Sequence, residues 1–176
     1  MEIKIISTEI IKPSSPTPQH LRTHKLFLPN HVMPDLYVPF TFFYSSPREN
    51  LKPMNNNKIS VHLKNALSKT LTYYYPFAGQ NIDGVSTQCN DHGAIFIETQ
   101  VANIRISDVL KRRDKAQDLL NLKNLLPFNG MLPQIPTTAT TACHPNLFVQ
   151  VNYFPCGGIA ITIFFSPSLV GCNNSS

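Results

Sequence analysis

At 176 residues, with 42% hydrophobic and 14% charged side chains, the chain is long enough for one domain with a real core and too apolar to be disordered. Its formal charge of +5 invites a nucleic-acid reading, but the basic residues do not gather. The densest run, Lys111-Arg-Arg-Asp-Lys115, is interrupted by an acid and fits a solvated helix face, so no nucleic-acid partner is expected.

In chain order, Ile3 to Ile11 is β-branched and mostly apolar, and Lys12-Pro-Ser-Ser-Pro-Thr-Pro18 breaks it. That predicts a strand entering a proline-rich loop, because proline cannot donate to a ladder. Leu21 to Leu28 is ambiguous, and Pro29 and Pro34 bracket another loop. Val38-Pro-Phe-Thr-Phe-Phe-Tyr44 predicts a buried aromatic strand, and Asn50 to Asn57 is turn material. The clearest helix follows. Ile59, Leu63, Ala66, Leu67, Thr70, Leu71 and Tyr74 recur with a 3.6-residue period and so share one face. Pro76 ends the element, since it disfavours helical geometry in the residue before it, and Gly79 is expected to let the chain turn.

After the Asn90-Asp-His-Gly93 turn, Ala94 to Val101 reads as a strand. Ser107 is a candidate cap for a short helix reaching Lys111, and Asp118 to Leu126 suggests another. Pro127 to Pro145 is rich in Pro, Thr and Ala and reads as a long loop or crossover. Phe148 to Phe154 and Ile159 to Phe165, joined by Pro155-Cys-Gly-Gly158, predict a hairpin. There is no internal repeat. Strands and helices alternating irregularly around one hairpin predict an α/β domain of the α+β mixed-sheet kind.

Met1-Glu-Ile-Lys lacks the basic-then-apolar layout of a signal peptide. The longest apolar stretch, Ile159 to Phe165, is far short of the ~20 residues that span a bilayer. No membrane partner and a cytoplasmic location are therefore expected. Cys89, Cys143, Cys156 and Cys172 have no paired spacing, which fits reduced thiols. Cys89-Asn-Asp-His92 and Cys143-His144 offer only part of a four-ligand zinc set, so no metal is expected.

Several segments, in this order, resemble the plant BAHD acyltransferases. Ile11-Lys-Pro-Ser-Ser-Pro-Thr-Pro18 resembles their first strand and proline loop. Leu63-Lys-Asn-Ala-Leu-Ser-Lys-Thr-Leu71 and Tyr74-Tyr-Pro-Phe-Ala-Gly79 resemble their first long helix and its exit. Cys89-Asn-Asp-His-Gly-Ala94, Asn146-Leu-Phe-Val-Gln-Val-Asn-Tyr-Phe154 and Cys156-Gly-Gly-Ile-Ala-Ile161 are similar again. The resemblance runs over nearly the whole chain. It implies the N-terminal domain of a two-domain, chloramphenicol acetyltransferase-like fold, with residues 1–176 as a single partial domain and the C-terminal domain absent. It also implies ancestry in acyl transfer from coenzyme A thioesters to small-molecule alcohols or amines of plant specialised metabolism, with acyl-CoA as co-substrate and no bound cofactor.

Members of the family end the strand matching Ile159 to Ser166 in His-x-x-x-Asp. The His is the general base, suited by a pKa near operating pH, and the Asp is structural. Carried over, the His position falls on Pro167, which has no titratable group. The Asp position falls on Gly171, or Gly171 is the Gly that usually follows a deleted Asp. The second signature, Asp-Phe-Gly-Trp-Gly, occurs nowhere, and there is no Trp. Ser166 and Ser168 flank the gap, but a serine needs a base of its own. No spacing raises His20, His24, His31, His62, His92 or His144 above the others as a substitute base. The expected chain is thus a truncated member with no catalytic residue at the family positions. It is expected to be inactive and able to self-associate through an uncovered interdomain surface. The alternative is a non-catalytic interaction or regulatory protein derived from the family.

Overall fold

The structure, a computed structural model, describes residues 2–26, 37–46, 56–81, 86–111, 125–126, 145–166 and 169. Its elements, in chain order, begin with strands β1 (Glu2–Ile11), β2 (Thr23–Lys25) and β3 (Val38–Tyr44) and helix α1 (Asn56–Tyr73). Strands β4 (Gln80–Asn81), β5 (Ser86–Gln88) and β6 (Ala94–Ala102) follow, then helix α2 (Ile106–Lys111) and strands β7 (Leu147–Tyr153) and β8 (Ile159–Phe165). Five strands form the main sheet in the order β1-β6-β7-β8-β3, and β2-β5-β4 make a small second sheet.

The main sheet is mixed, as expected. β6 and β7 run parallel, and every other neighbouring pair is antiparallel. A parallel pair needs a long return connection, which residues 103–146 supply. The predicted hairpin is present. Phe154 N donates to Gly158 O at 3.0 Å, and Gly157 takes the left-handed φ of 79° that the turn requires. β7 sits at the centre and is buried on both faces, whereas β8 alternates between buried and half-buried positions.

α1 covers one face, against Phe96, Leu147, Val149, Val151 and Tyr153. Leu71 lies at the centre of that contact, 1% exposed. Of the expected stripe, Ile59, Leu63 and Leu67 also pack inward, but Ala66, Thr70 and Tyr74 face solvent. The stripe is rotated because Ser60, Lys64, Ser68 and Thr72 also turn toward the protein, where hydrogen bonds receive them. Ser68 Oγ donates to Lys12 O at 2.8 Å, and Thr72 Oγ1 shares a 2.9 Å hydrogen bond with Ser14 Oγ. On the opposite face Ile106 and Val109 of α2 pack with Val101, Leu125, Phe154 and Ala160.

Three further expectations need correction. β3 is a strand, but it lies at the sheet edge, with Phe40, Phe42 and Tyr44 about half exposed. Aromatic content reports strand propensity, and it does not report which strands have two neighbours. Gly79 has φ −91°, so it is not needed for a left-handed turn. It is needed for closeness, because a Cβ there would lie 2.6 Å from Gln88 O. Ser107 sits inside α2; Arg105 O accepts from Asp108 N at 3.0 Å, and the Asp108 carboxylate reaches back to Arg105 N at 3.4 Å. In the ambiguous Leu21–Leu28 stretch the described part holds β2 and the buried Leu26. Of the polar turn, Asn56 and Asn57 open α1 and the rest lies outside the described residues, as do Pro29, Pro34 and residues 118–124 and 127–144.

Candidate functional site

The two positions carried over from the acyltransferase motif, Pro167 and Gly171, lie outside the described residues, as do Ser168, His31 and His144. Their flank is described. Ser166, buried at the end of β8, donates its backbone N–H to Asn146 O at 3.2 Å, and Leu169 N donates back to Ser166 O at 3.3 Å. Asn146 is itself buried, and its Nδ2 donates to Pro76 O at 3.0 Å. The exit of β8, the entry of β7 and the exit of α1 are thereby tied at one end of the sheet.

A groove of about 310 Å³ opens at that end, between α1 and the near faces of β7 and β8. Leu71, Tyr74, Phe77, Val149, Ile163 and Phe165 are among its walls. Thr70, also in the wall, spends its hydroxyl on Ala66 O at 2.8 Å. Among the described residues no carboxylate, imidazole, amine or thiol lines this groove. It can bury an apolar group, but it offers no general base.

Two polar clusters lie apart from the groove, one on each face of the main sheet. On the α1 side, Lys64 Nζ lies 2.8 Å from Glu98 Oε2 and 2.7 Å from Glu9 Oε1. Ser7 Oγ donates to Glu98 Oε2 at 2.9 Å and Tyr153 Oη to Glu98 Oε1 at 2.8 Å. Lys64 Nζ also sits 5.5 Å from the centre of the Phe96 ring. Burial alone would push the Glu98 carboxyl up, but hydrogen bonds from Lys64, Ser60, Tyr153 and Ser7 outweigh it and hold the carboxyl at about 2. Burial and the bond to Glu98 push the Tyr153 phenol far up. Burial opposes the charge on Lys64, yet its two carboxylate partners raise its pKa on balance. Each group is therefore locked in one protonation state at neutral pH. This cluster clamps α1 to β1, β6 and β7, and it is not poised to exchange protons.

On the other face, Leu125 O accepts from Gln150 Nε2 at 3.3 Å, Asn152 Nδ2 at 3.2 Å and Thr162 Oγ1 at 3.0 Å. Thr99 Oγ1 and Gln150 Nε2 both donate to Asn152 Oδ1 at 2.7 Å. The four side chains are buried and satisfied, which suits a structural anchor for the chain at Leu125. Sequence reasoning missed both clusters. The signal was present as lone polar residues inside apolar strands: Glu98 in β6, Gln150 and Asn152 in β7, and Thr162 in β8.

The described histidines are not brought together. His20 and His62 are exposed, although His62 neighbours the inward face of α1, and His24 and His92 are partly buried. The His92 backbone N donates to Asn90 Oδ1 at 3.1 Å, which closes the turn before β6. Among the described residues no three His, Cys, Asp or Glu side chains gather as a metal site.

A mixed sheet with a helix on each face and a hairpin running to Ser166 is the α/β architecture that the family resemblance leads one to expect. The comparisons with known proteins agree. The Transferase family profile matches residues 1–170. The chain is 44% identical over 167 residues to epi-neemfruitin B synthase of Melia azedarach, covering 94% of this chain and 35% of that protein. It is 39% identical to limonoid 21-O-acetyltransferase of Citrus sinensis, covering 100% of this chain and 38% of the relative. The crystal structure of vinorine synthase superposes with a TM-score of 0.75 and 33% identity, over 95% of this chain and 38% of that one. The chain belongs to the plant BAHD acyltransferase family, and it spans little more than a third of the length of these relatives.

Proposed function

We propose that residues 1–176 are a single partial domain of an acyl-CoA-dependent acyltransferase of plant specialised metabolism, and that this chain alone does not transfer acyl groups. In the family reaction a base takes the proton from an acceptor hydroxyl or amine as that atom attacks the thioester carbonyl. The carbon–sulfur bond then breaks and coenzyme A leaves as the thiol. The thioester is already activated, so the step needs no metal. The proposal rests on Pro167, the residue on which the family resemblance sets the base, in a chain that matches the family over residues 1–170. A proline accepts no proton, and Gly171 supplies no carboxylate.

The partners read for the complete family are a coenzyme A thioester and a small-molecule acceptor; nucleic acid and membrane are not among them. Among the described residues no helix is long and apolar enough to cross a membrane, and the proposed location is the cytosol. Losing a general base costs ~100- to 10,000-fold, and the groove offers no replacement. Purified chain, incubated with coenzyme A thioesters and a panel of alcohols and amines, is expected to give no product above the uncatalysed background. Pro167→His alone is expected to restore nothing. Saturable turnover by the unmodified chain overturns the proposal.

A second reading, a non-catalytic interaction protein that associates through an uncovered apolar surface, is favoured by one observation. Phe40, Phe42 and Tyr44 are 50%, 47% and 52% exposed on one strand.

A further inference from the structure

Four serine or threonine residues of the chain are followed by proline: Ser15, Thr17, Ser46 and Ser166. A proline in the next position is what proline-directed protein kinases require of a substrate hydroxyl. The structure separates the four. Thr17 is 5% exposed, and its hydroxyl is spent on Asp91 Oδ1 at 2.6 Å. Ser166 is buried just past β8. Ser46 is half-buried over the β7–β8 turn, its Cβ and Oγ each 3.6 Å from where a Cβ on Gly157 would stand. Ser15 is exposed, in a segment that is neither helix nor strand, and among the described residues its hydroxyl makes no hydrogen bond.

The segment around Ser15 is fastened to the end of α1. Ser14 N donates to Ser68 O at 3.0 Å, and Ser15 N donates to Thr72 Oγ1 at 3.3 Å. Ser14 Oγ shares its 2.9 Å hydrogen bond with the same Thr72 Oγ1. On the other side of Ser15, Asp91 Oδ2 accepts from Thr17 N at 3.0 Å.

We propose that Ser15 is a phosphorylation site for a proline-directed protein kinase, and that the phosphate releases residues 12–18 from α1. The γ-phosphoryl group of ATP passes to Ser15 Oγ, its bond to the β-phosphate oxygen breaks, ADP leaves and the hydroxyl proton is lost. The product carries a charge of about −2. It stands beside the C-terminal end of α1, where the helix dipole is negative. The last turn of α1 carries no basic side chain to receive it. The Asp91 carboxylate, already bonded to Thr17, adds a like charge. A phosphate so placed disrupts by repulsion. Release also precedes modification, because a kinase takes its substrate segment extended and Ser15 N must leave Thr72 for that. Whatever frees the segment raises the fraction competent to bind the kinase.

Incubation of the purified chain with a proline-directed kinase and ATP, read by peptide mass spectrometry, tests the inference. One phosphate is expected, on Ser15. Ser15→Ala is expected to abolish it, and Ser46→Ala to leave it unchanged. Thr72→Val removes the acceptor that holds Ser15 N, and it is expected to speed incorporation about fivefold, the worth of one hydrogen bond. Should Thr72→Val lower the melting midpoint, Ser14→Ala, at an exposed position, serves as the second variant with the same direction. Amide hydrogen exchange over residues 12–18 is expected to quicken about fivefold in the phosphorylated chain, and the gain is expected to shrink in high salt. No incorporation, or incorporation at Thr17, Ser46 or Ser166 in place of Ser15, overturns the site. Incorporation at Ser15 that is indifferent to both loosening variants, or that leaves exchange unchanged, overturns the release. None of these readouts involves acyl transfer, so failure here leaves the acyltransferase reading standing, and turnover in the acyl-transfer assay leaves this site standing.

Discussion

Glu98 keeps a full negative charge inside the protein because three hydroxyls and an ammonium replace the water it lost. A carboxyl held at about 2 instead of the ordinary 4.5 binds fewer protons folded than unfolded. The stability it contributes is complete above the unfolded value and is lost as the pH falls from about 4.5 to about 2. Urea midpoints measured across that range are expected to drop steeply for the natural chain and less steeply for Glu98→Gln. Removing one partner of a buried pair leaves the other uncompensated, so Lys64→Met is expected to cost about 3 kcal/mol by urea unfolding. The Lys64→Met, Glu98→Gln double variant is expected to cost less than the sum of the two, because the groups touch. Gly93 is a different kind of constraint. Its φ is +99°, and a Cβ there would meet Ile11 O at 2.5 Å. Gly93→Ala meets both penalties, and a loss of more than about 1 kcal/mol is expected in the same measurement.

α1 shows how far periodicity reaches at the scale of an element. The 3.6-residue pattern located the helix and its central contact, and Leu71→Ala is expected to cost about 2–5 kcal/mol in thermal or urea unfolding. Tyr73, 81% exposed on the same helix, is expected to tolerate alanine within about 0.5 kcal/mol. What periodicity could not supply was the exact face, since Ser60, Lys64, Ser68 and Thr72 turn inward only because β1, β6 and the loop at Ser14 present partners. Hydrophobicity scoring counts such residues as outward. The β7–β8 hairpin was legible because its turn chemistry and its two apolar strands are local in sequence. The place of β3 was not, because edge or centre is decided by pairing with β8, far along the chain. The two buried clusters join residues from distant elements, and nothing in linear spacing announces such a meeting. The motif positions Pro167 and Gly171 were readable only through family resemblance.

Phe40, Phe42 and Tyr44, about half exposed on β3, bear on the behaviour of the molecule as a whole. Leaving ~300 Å² of apolar surface in water forfeits roughly 7 kcal/mol at 25 cal/mol per Å². Domains are stable by only ~5–15 kcal/mol, so the chain has little in reserve. The chain is expected to bind a hydrophobic dye and to melt over a broad range. Phe42→Lys is expected to reduce the dye signal, and dye binding indifferent to it would place the sticky surface elsewhere.

The strand order also has a consequence for how the chain leaves the ribosome. The two outermost strands, β1 and β3, are made first, and the strands that lie between them are made last. Thr41 and Thr162, which share a 3.0 Å hydrogen bond in the finished sheet, are 121 positions apart. At ~5–20 residues per second, β3 waits on the order of ten seconds for β8 to emerge. Throughout that wait an aromatic segment with high strand propensity has no native partner. Its window for capture by a chaperone, or for pairing with another nascent copy, is therefore built into the order of synthesis. A circular permutant opened between β3 and α1, with β8 joined through a linker to β1, would have β3 made after β8 and close that window without altering any contact in the sheet.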